Sequence, residues 1–254
     1  MSIESNKDLL GIQAISEIVG STLKKMRHHA EIGMSTKELD EYGGALLKQY
    51  GAKSAPRLTY NFPGWTCISI NQEIAHGIPS DKKILKDGDL VNIDVSAELN
   101  GYWSDNGGSF VLGQDINKHS HLVETSRRIL FKAIQNIKGG VRIADIGGLI
   151  ETQAKRSGFN VIKNLTGHGV GKSLHESPLE IPCYYDRFNK ARFKKNSVVA
   201  IETFISTKGT HAHTLADGWT LSGNDGSFVA QHEHTIIIRD DFPTILTESN
   251  GILN

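Results

Sequence analysis

The sequence predicts an α+β domain in which two pseudo-symmetric helix-helix-strand halves surround a curved, mostly antiparallel sheet. A weak internal repeat supports this fold class, because residues 32–52 align with residues 139–159 at a shift of 107 positions. Glycine-flanked amphipathic helices also resemble one another by chance, so the helices alone do not decide whether the two segments are a true repeat. We expect residues 1–254 to form a single domain, with repeat halves at about 8–115 and 116–240.

Each copy of the repeat predicts a helix that follows a glycine turn and ends at a glycine, Gly51 or Gly158. Ser35 and Glu38 are spaced as a capping box, which predicts the start of the helix in the first copy. A further amphipathic helix precedes each copy, at about 8–30 and 118–138. Extended segments follow at 66–71, 89–98 and 102–112 in the first half, and at 161–166, 197–206 and 227–239 in the second.

The composition is that of an ordinary globular protein, with 38% hydrophobic residues and a formal net charge of zero. Because 28 basic residues balance 28 acidic ones, the chain carries no electrostatic signature of binding to nucleic acid or to an anionic membrane. The N-terminal stretch lacks an apolar signal core, and no later segment reaches a membrane-spanning length. Two cysteines, Cys67 and Cys183, cannot form a disulfide framework, so we expect a cytoplasmic protein.

Two aspartates stand inside strand segments, where aspartate is disfavoured. The Asn100-Gly101 pair predicts a two-residue type I′ hairpin turn, which places Ser96 opposite Asp105. Asp94 lies two residues before Ser96 and shares its face of the strand, since side chains alternate with a period of two. The two aspartates are therefore expected to be diagonal neighbours, roughly 7–8 Å apart at Cα. Such a pair is costly unless a cation or a shared proton compensates the charge.

The repeat extends this pair to a cluster of four carboxylates. A shift of 108 positions carries Asp94 to Glu202, and Glu233 lies in another apolar strand segment. His168, in a glycine-rich turn, adds an imidazole to this oxygen-rich set, which suits two divalent cations bridged by carboxylates and a water. Taken singly, each of these residues is more often a solvated, edge or loop residue than a ligand. The joint pattern of carboxylates in apolar strands favours a metal site.

The motifs of the chain, in their order and spacing, resemble those of the type I methionine aminopeptidases. They are HGIP at 76–79, D(x10)D at 94 and 105, GHGVG(x3)HE at 167–176, the glutamate at 202, and QHEHT at 231–235. The resemblance extends from the first helix to about residue 240. It implies the pita-bread fold, in which one catalytic domain has two related halves around a dinuclear metal site.

This resemblance implies the metal-dependent removal of N-terminal methionine from nascent proteins and peptides with a small second residue. The implied metal ligands are Asp94, Asp105, His168, Glu202 and Glu233. They would hold two divalent ions, for which cobalt, manganese, iron and zinc are all compatible. In this scheme Glu202 takes the proton of the attacking water, His175 stabilises the oxyanion and His76 contacts the scissile amide.

The unbranched thioether of methionine needs an apolar pocket. The resemblance implies that Phe62, Cys67 and Trp219 line it, with Leu174 as a further candidate. For Cys67 an ordinary core position is the alternative, and Cys183 matches no functional position. The implied partners are nascent polypeptide N-termini, near the ribosome, and we expect the protein to act as a monomer.

Two residues beside implied ligands depart from the family pattern: Asn106 stands in place of threonine and Thr203 in place of proline. Changes next to a ligand can weaken metal binding or activity by tens of fold without removing the site. Two alternative functions stay open, an X-Pro exopeptidase of the same fold and a catalytically weak pita-bread protein that acts by binding. Retention of every implied ligand and of both histidines favours the aminopeptidase.

Overall fold

The first half of the chain forms two long helices followed by a strand-rich segment. The structure is a computed structural model that describes residues 1–223 and 225–253. The helices of this half are α1 Asn6–His29, α2 Thr36–Gln49 and the short α3 Ala55–Tyr60. Its strands are β1 Lys53–Ser54, β2 Cys67–Ile70, β3 Glu73–Ala75, β4 Leu90–Leu99 and β5 Tyr102–Val111.

The second half of the chain has the same order of two helices followed by strands. Its helices are α4 Ser120–Asn136 and α5 Ile143–Arg156. Its strands are β6 Asn160–Val161, β7 Thr166–Gly169, β8 Glu176–Pro182, β9 Val198–Ser206, β10 His213–Thr214, β11 Leu221–Ser222, β12 Val229–Ile237 and β13 Thr244–Ile245. A short 3-10 helix at Glu248–Asn250 follows them.

A ten-stranded sheet joins strands from both halves of the chain. Its path runs β1-β4-β5-β12-β9-β7-β8, and β2, β6 and β13 pair with β4, β9 and β12 outside this path. The strand pairs within it are antiparallel. Strand β12 of the second half pairs directly with β5 of the first. The predicted α+β class with a mostly antiparallel sheet is confirmed.

The β4–β5 hairpin has the predicted turn and register. Asn100 and Gly101 have φ values of 52° and 81°, and the left-handed conformation at both positions is what a type I′ turn requires. Ser96 lies opposite Asp105, and Asp94 lies opposite Gly107. Because the register is as predicted, the two aspartates share one face of the sheet as diagonal neighbours.

The long helices cover the other face of the central strands. Val19 of α1 belongs to the same buried apolar cluster as Val95 of β4. Ile129 of α4 and Ile150 of α5 belong to a second cluster with Ile201 of β9. Complete burial of such a side chain contributes about 1.5–3 kcal/mol, so the helices are held to the sheet by their apolar faces. The face away from the helices is left for polar side chains.

The start of α2 is the predicted capping box. The Ser35 hydroxyl accepts a hydrogen bond from the Glu38 backbone N–H at 3.1 Å, and the Ser35 N–H donates to Glu38 Oε2 at 2.7 Å.

Within residues 1–223 and 225–253, no helix combines the length and the apolarity that crossing a bilayer demands.

The segment predicted as one strand at 161–166 is instead two short strands, β6 and β7. Both pair with β9, but the chain leaves the edge of β9 between them. There the Asn164 side chain accepts from the Ala212 N–H and donates to the Ala212 carbonyl, each at 2.8 Å. This side-chain pairing replaces the strand ladder, which explains why the β-branched pattern overestimated the strand.

Candidate active site

The site residues predicted from the sequence all line one cavity of 390 Å³. They are Asp94, Asp105, His168, Glu202, Glu233, His76, His175, Phe62, Cys67, Leu174 and Trp219. The cavity lies on the face of the sheet that the long helices leave uncovered. The structure therefore brings together residues that are spread over more than half of the sequence.

The four carboxylates come from the four neighbouring central strands of the sheet. Asp94 and Asp105 belong to the β4–β5 hairpin, whereas Glu202 of β9 lies directly opposite Glu233 of β12. The pairing of β5 with β12 joins the two carboxylate pairs. The alternation of side chains along each strand directs all four to the same face.

Three of the predicted ligands are arranged as a metal-binding group. One ligand atom each from Asp105, His168 and Glu233 lies within 4.8 Å of the others. The buried Asp105 Oδ1 has no hydrogen-bond partner among the described residues. His168 Nδ1 lies 3.1 Å from the Gly169 carbonyl oxygen; donation of its N–H there leaves the Nε2 lone pair free to bind a cation.

Burial raises the pKa of all four carboxyl groups. The pKa of Asp94 rises to about 6 through burial, and that of Glu202 rises to about 8 through burial and the charge of Asp94. Burial and the neighbouring carboxylates raise the pKa values of Asp105 and Glu233 well above the usual range. Four carboxylates cannot all be ionised here without compensating positive charge, and divalent cations fit that requirement.

The imidazole of His168 does not supply that positive charge. Burial, followed by the proximity of His175, lowers the pKa of His168 to about 3. Its Nε2 lies 3.7 Å from Asp105 Oδ2, but the neutral ring forms no ion pair at that distance. A neutral imidazole beside ionised carboxylates is the protonation state in which both bind a metal.

Sequence reasoning assigned no role to Gln231, which connects the two glutamates. Its Nε2 donates to Glu202 Oε2 at 3.3 Å and to Glu233 Oε2 at 3.1 Å. Asn92 in turn donates from Nδ2 to Gln231 Oε1 at 2.8 Å, which orients the amide. The period of two could have found both residues, because each precedes a predicted ligand by two positions, Asn92 before Asp94 and Gln231 before Glu233.

The two departures from the family pattern face away from the carboxylates. Asn106 donates from Nδ2 to the Val95 carbonyl at 3.0 Å, and its Oδ1 accepts from Asn250 Nδ2 at 3.1 Å. The Thr203 hydroxyl lies 3.1 Å from the hydroxyl of Ser126 on α4. Each side chain thus lies on the face of the sheet that the helices cover. Neighbours in a strand face opposite sides of the sheet.

A turn at the cavity mouth positions His76. Its φ is 54°, in the left-handed region that side chains other than glycine seldom adopt. The following residue, Gly77, passes so close to β2 that a Cβ there would lie 2.3 Å from the Ile68 carbonyl oxygen. The His-Gly pair therefore allows the tight approach that brings the imidazole to the cavity. Strain of this kind is common at functional sites.

The apolar wall of the cavity contains the predicted pocket residues. The rings of Phe62 and Trp219 meet edge to face, with centroids 5.3 Å apart and an interplanar angle of 83°. Cys67 lies opposite Asp94 in the β2–β4 pairing, and burial, together with that carboxylate, raises the pKa of its thiol. Cys183 is buried elsewhere and donates its S–H to the Glu202 carbonyl at 3.4 Å.

A buried aspartate that sequence reasoning missed holds the segment 61–66 next to this wall. Asp40 on α2 is 4% exposed and accepts from the backbone N–H groups of Trp65 and Thr66, the latter at 2.7 Å. It also accepts from the Thr66 hydroxyl at 2.8 Å. Lys48 Nζ and Arg57 Cζ each lie 4.1 Å from the centroid of the Trp65 ring. These contacts fix the chain just before Cys67.

The metal-free chain is expected to lose stability as pH rises from about 7 to about 8.5. The pKa of Glu202, about 8 in the folded state, exceeds its value in the unfolded chain. The folded state therefore keeps protons that the unfolded state has released, and that stability is lost as pH rises through the folded pKa. Thermal unfolding in a chelator should show a Tm lower by about 3 °C at the higher pH.

The Glu202→Gln variant is the matched control for this pH dependence. Glutamine keeps the shape but cannot ionise, so its chelated form should show a flatter dependence of Tm on pH than the wild type. Adding zinc or manganese to the wild type should restore the Tm at the higher pH, since bound cations replace the protons. The same pH dependence in both chelated proteins would contradict the assignment to Glu202.

Sequence comparison places the chain in a known family. The family model described as metallopeptidase family M24 matches residues 11–240. The chain is 50% identical over 248 residues to methionine aminopeptidase 2 of Bacillus subtilis (strain 168), and the match covers 98% of this chain and 100% of that relative. The similarity therefore extends over the full length of that relative.

Solved structures extend this similarity to the fold. Methionine aminopeptidase from Thermotoga maritima has a TM-score of 0.92 at 32% identity, covering 97% of this chain and 99% of that one. Prolidase from Pyrococcus furiosus, at 22% identity, shares the fold with a TM-score of 0.76, covering 96% of this chain and 65% of that one. The pita-bread fold is confirmed, and the X-Pro alternative is not favoured. The chain belongs to metallopeptidase family M24 and, within it, to the methionine aminopeptidases.

Proposed function

We propose that this chain removes the N-terminal methionine from nascent proteins and peptides whose second residue is small. The observation that carries the proposal is that the apolar wall and the carboxylate cluster line the same cavity. A flexible thioether side chain fits against Phe62, Cys67 and Trp219 while the first peptide bond lies beside the carboxylates. The names of the similar proteins, which are methionine aminopeptidases, support the same activity.

We propose that two divalent cations are held by the five predicted ligands. These are Asp94, Asp105, His168, Glu202 and Glu233. Bound cations would supply Lewis acidity, which polarises the scissile carbonyl and makes a water acidic enough to attack near neutral pH. Cobalt, manganese, iron and zinc all suit this mixture of carboxylates and one imidazole.

The remaining steps belong to side chains of the cavity. Glu202 accepts the proton of the attacking water and passes it to the leaving amine, while the Gln231 amide holds its carboxylate by a hydrogen bond of 3.3 Å. His175 donates a hydrogen bond to the carbonyl oxygen as negative charge develops there. His76, at the mouth of the cavity, contacts the scissile amide.

The cellular setting of the proposal is that of a processing enzyme. We propose that residues 1–254 act as a single catalytic domain, a cytoplasmic monomer that meets nascent polypeptide N-termini near the ribosome. The shared sheet supports the single domain, because β5 and β12 pair across the two halves, 8–115 and 116–240. Size-exclusion chromatography with light scattering measures the oligomeric state directly.

Peptide hydrolysis tests the proposed function. After chelation and reloading with one metal at a time, kcat/KM for Met-Gly-Met should exceed that for Met-Leu-Met by about 100-fold or more, since a pocket for a small second residue excludes leucine. Chelation alone should abolish hydrolysis, and titration calorimetry should count two metal equivalents. Hydrolysis confined to Xaa-Pro peptides would establish the X-Pro alternative. A chain that neither hydrolyses these peptides nor binds metal would instead be a binding protein.

A further inference from the structure

Tyr60 lies where it can control the orientation of a histidine in the cavity. It is the last residue of α3, and the following residue, Asn61, ends the helix in the left-handed conformation with φ of 57°. The Tyr60 hydroxyl lies 2.7 Å from His175 Nδ1, although the two residues are 115 positions apart. Both residues line the cavity. A contact this short between groups from separate elements identifies a direct hydrogen bond.

We propose that Tyr60 is a positioning residue that holds His175 in the tautomer with its ring proton on Nε2. A phenol is the stronger acid of the pair and an imidazole nitrogen the stronger base, so the Tyr60 O–H donates and Nδ1 accepts. A neutral imidazole carries one ring proton, and with Nδ1 accepting from Tyr60 that proton lies on Nε2. With Nδ1 directed at Tyr60, Nε2 lies on the other side of the ring as a hydrogen-bond donor.

The tautomer matters for the reaction because an oxyanion needs a donor. This inference rests on the proposed function, in which His175 donates to the scissile carbonyl oxygen. Without the Tyr60 hydroxyl the neutral His175 ring could carry its proton on either nitrogen. Part of the population would then present a lone pair to the carbonyl oxygen. The Tyr60 hydroxyl thus acts on the reaction through His175 and not on the substrate.

The Tyr60→Phe variant tests the inference by kinetics. It keeps the ring in the cavity wall and removes only the hydroxyl, so KM for Met-Gly-Met should change less than about twofold. The kcat should fall about five- to tenfold, which is the effect expected from the loss of one net hydrogen bond. Tyr50→Phe is the matched control, since Tyr50 is 43% exposed against 46% for Tyr60 and its hydroxyl contacts only Lys25 among the described residues. That control should match the wild type. Unchanged kcat in Tyr60→Phe would overturn the proposal.

Nitrogen NMR of the full-length chain gives a readout independent of turnover. In the zinc-loaded protein, which is diamagnetic, labelled imidazole nitrogens should show His175 with an unprotonated Nδ1 and a protonated Nε2. Tyr60→Phe should shift the His175 signals toward a mixture of the two tautomers. The His175→Gln variant identifies those signals, because they are missing from its spectrum. A proton on Nδ1 in the wild type would overturn the proposal even if the enzyme is active. If the wild type carries the His175 proton on Nε2 but does not cleave Met-Gly-Met, the proposed function is refuted and the role of Tyr60 in positioning His175 stands.

Discussion

Glu202→Gln is expected to lower kcat for Met-Gly-Met by a factor on the order of 10³, because glutamine cannot accept the proton of the attacking water. The substitution preserves side-chain volume, and the amide oxygen can still accept the hydrogen bond from Gln231. Steady-state kinetics with a saturating metal ion measures the effect. Since the change removes a group that acts in the reaction, kcat should fall far more than KM changes.

The stability of the Glu202→Gln variant separates loss of chemistry from loss of structure. Removing one buried charge from the cluster relieves repulsion, so the chelated variant should be at least as stable as the chelated wild type near pH 8. Glu180→Gln, the same substitution at an exposed strand position, should leave kcat unchanged. Wild-type activity in Glu202→Gln would refute its role as the proton acceptor, and a destabilised variant would contradict the electrostatic argument.

Asp40→Ala is expected to lower the free energy of unfolding by about 3 kcal/mol, because it leaves buried donors of Trp65 and Thr66 without an acceptor. These are the contacts that hold the segment 61–66 against α2. Phe62 lies in that segment, so the variant should also raise KM for methionine substrates more than it lowers kcat. Urea unfolding and steady-state kinetics measure the two effects.

The neighbouring carboxylate provides the control for Asp40. Glu41 is exposed on the same helix, and Glu41→Ala should change the free energy of unfolding by less than about 0.5 kcal/mol. Asp40→Asn keeps one acceptor oxygen and should lie between the two alanine variants in stability. Equal stability of Asp40→Ala and Glu41→Ala would show that the hydrogen bonds at Trp65 and Thr66 contribute nothing measurable.

The β4–β5 hairpin shows why part of the cavity could be predicted. A two-residue turn determines strand register, and register with a period of two determines which side chains share a face. The positions of Asp94 and Asp105 followed from Asn100 and Gly101 alone. The same period of two places Gln231 on the face of the strand that carries Glu233.

Contacts between separate elements could not be predicted in this way. Asp40 binds residues about 25 positions away, and Tyr60 reaches a histidine 115 positions away. Those contacts depend on the paths of α3 and of the segment 61–66, for which no short-range period exists. Asn106 follows an implied ligand in the sequence, but its side chain lies on the opposite face of the strand, under the helices.

The types of side chain in the cavity, and their spacing within each strand, are properties of the linear chain. Turn geometry and side-chain alternation, which act over a few residues, were enough to predict that Asp94 and Asp105 share a face. The internal repeat added Glu202, and the apolar strand and glycine-rich turn around them added Glu233 and His168. Tertiary structure alone decided how β5 meets β12, which joins the two carboxylate pairs, and which hydroxyl reaches His175. These long-range contacts result from the packing of the helices and from the order of strands in the sheet, which depend on the whole chain at once.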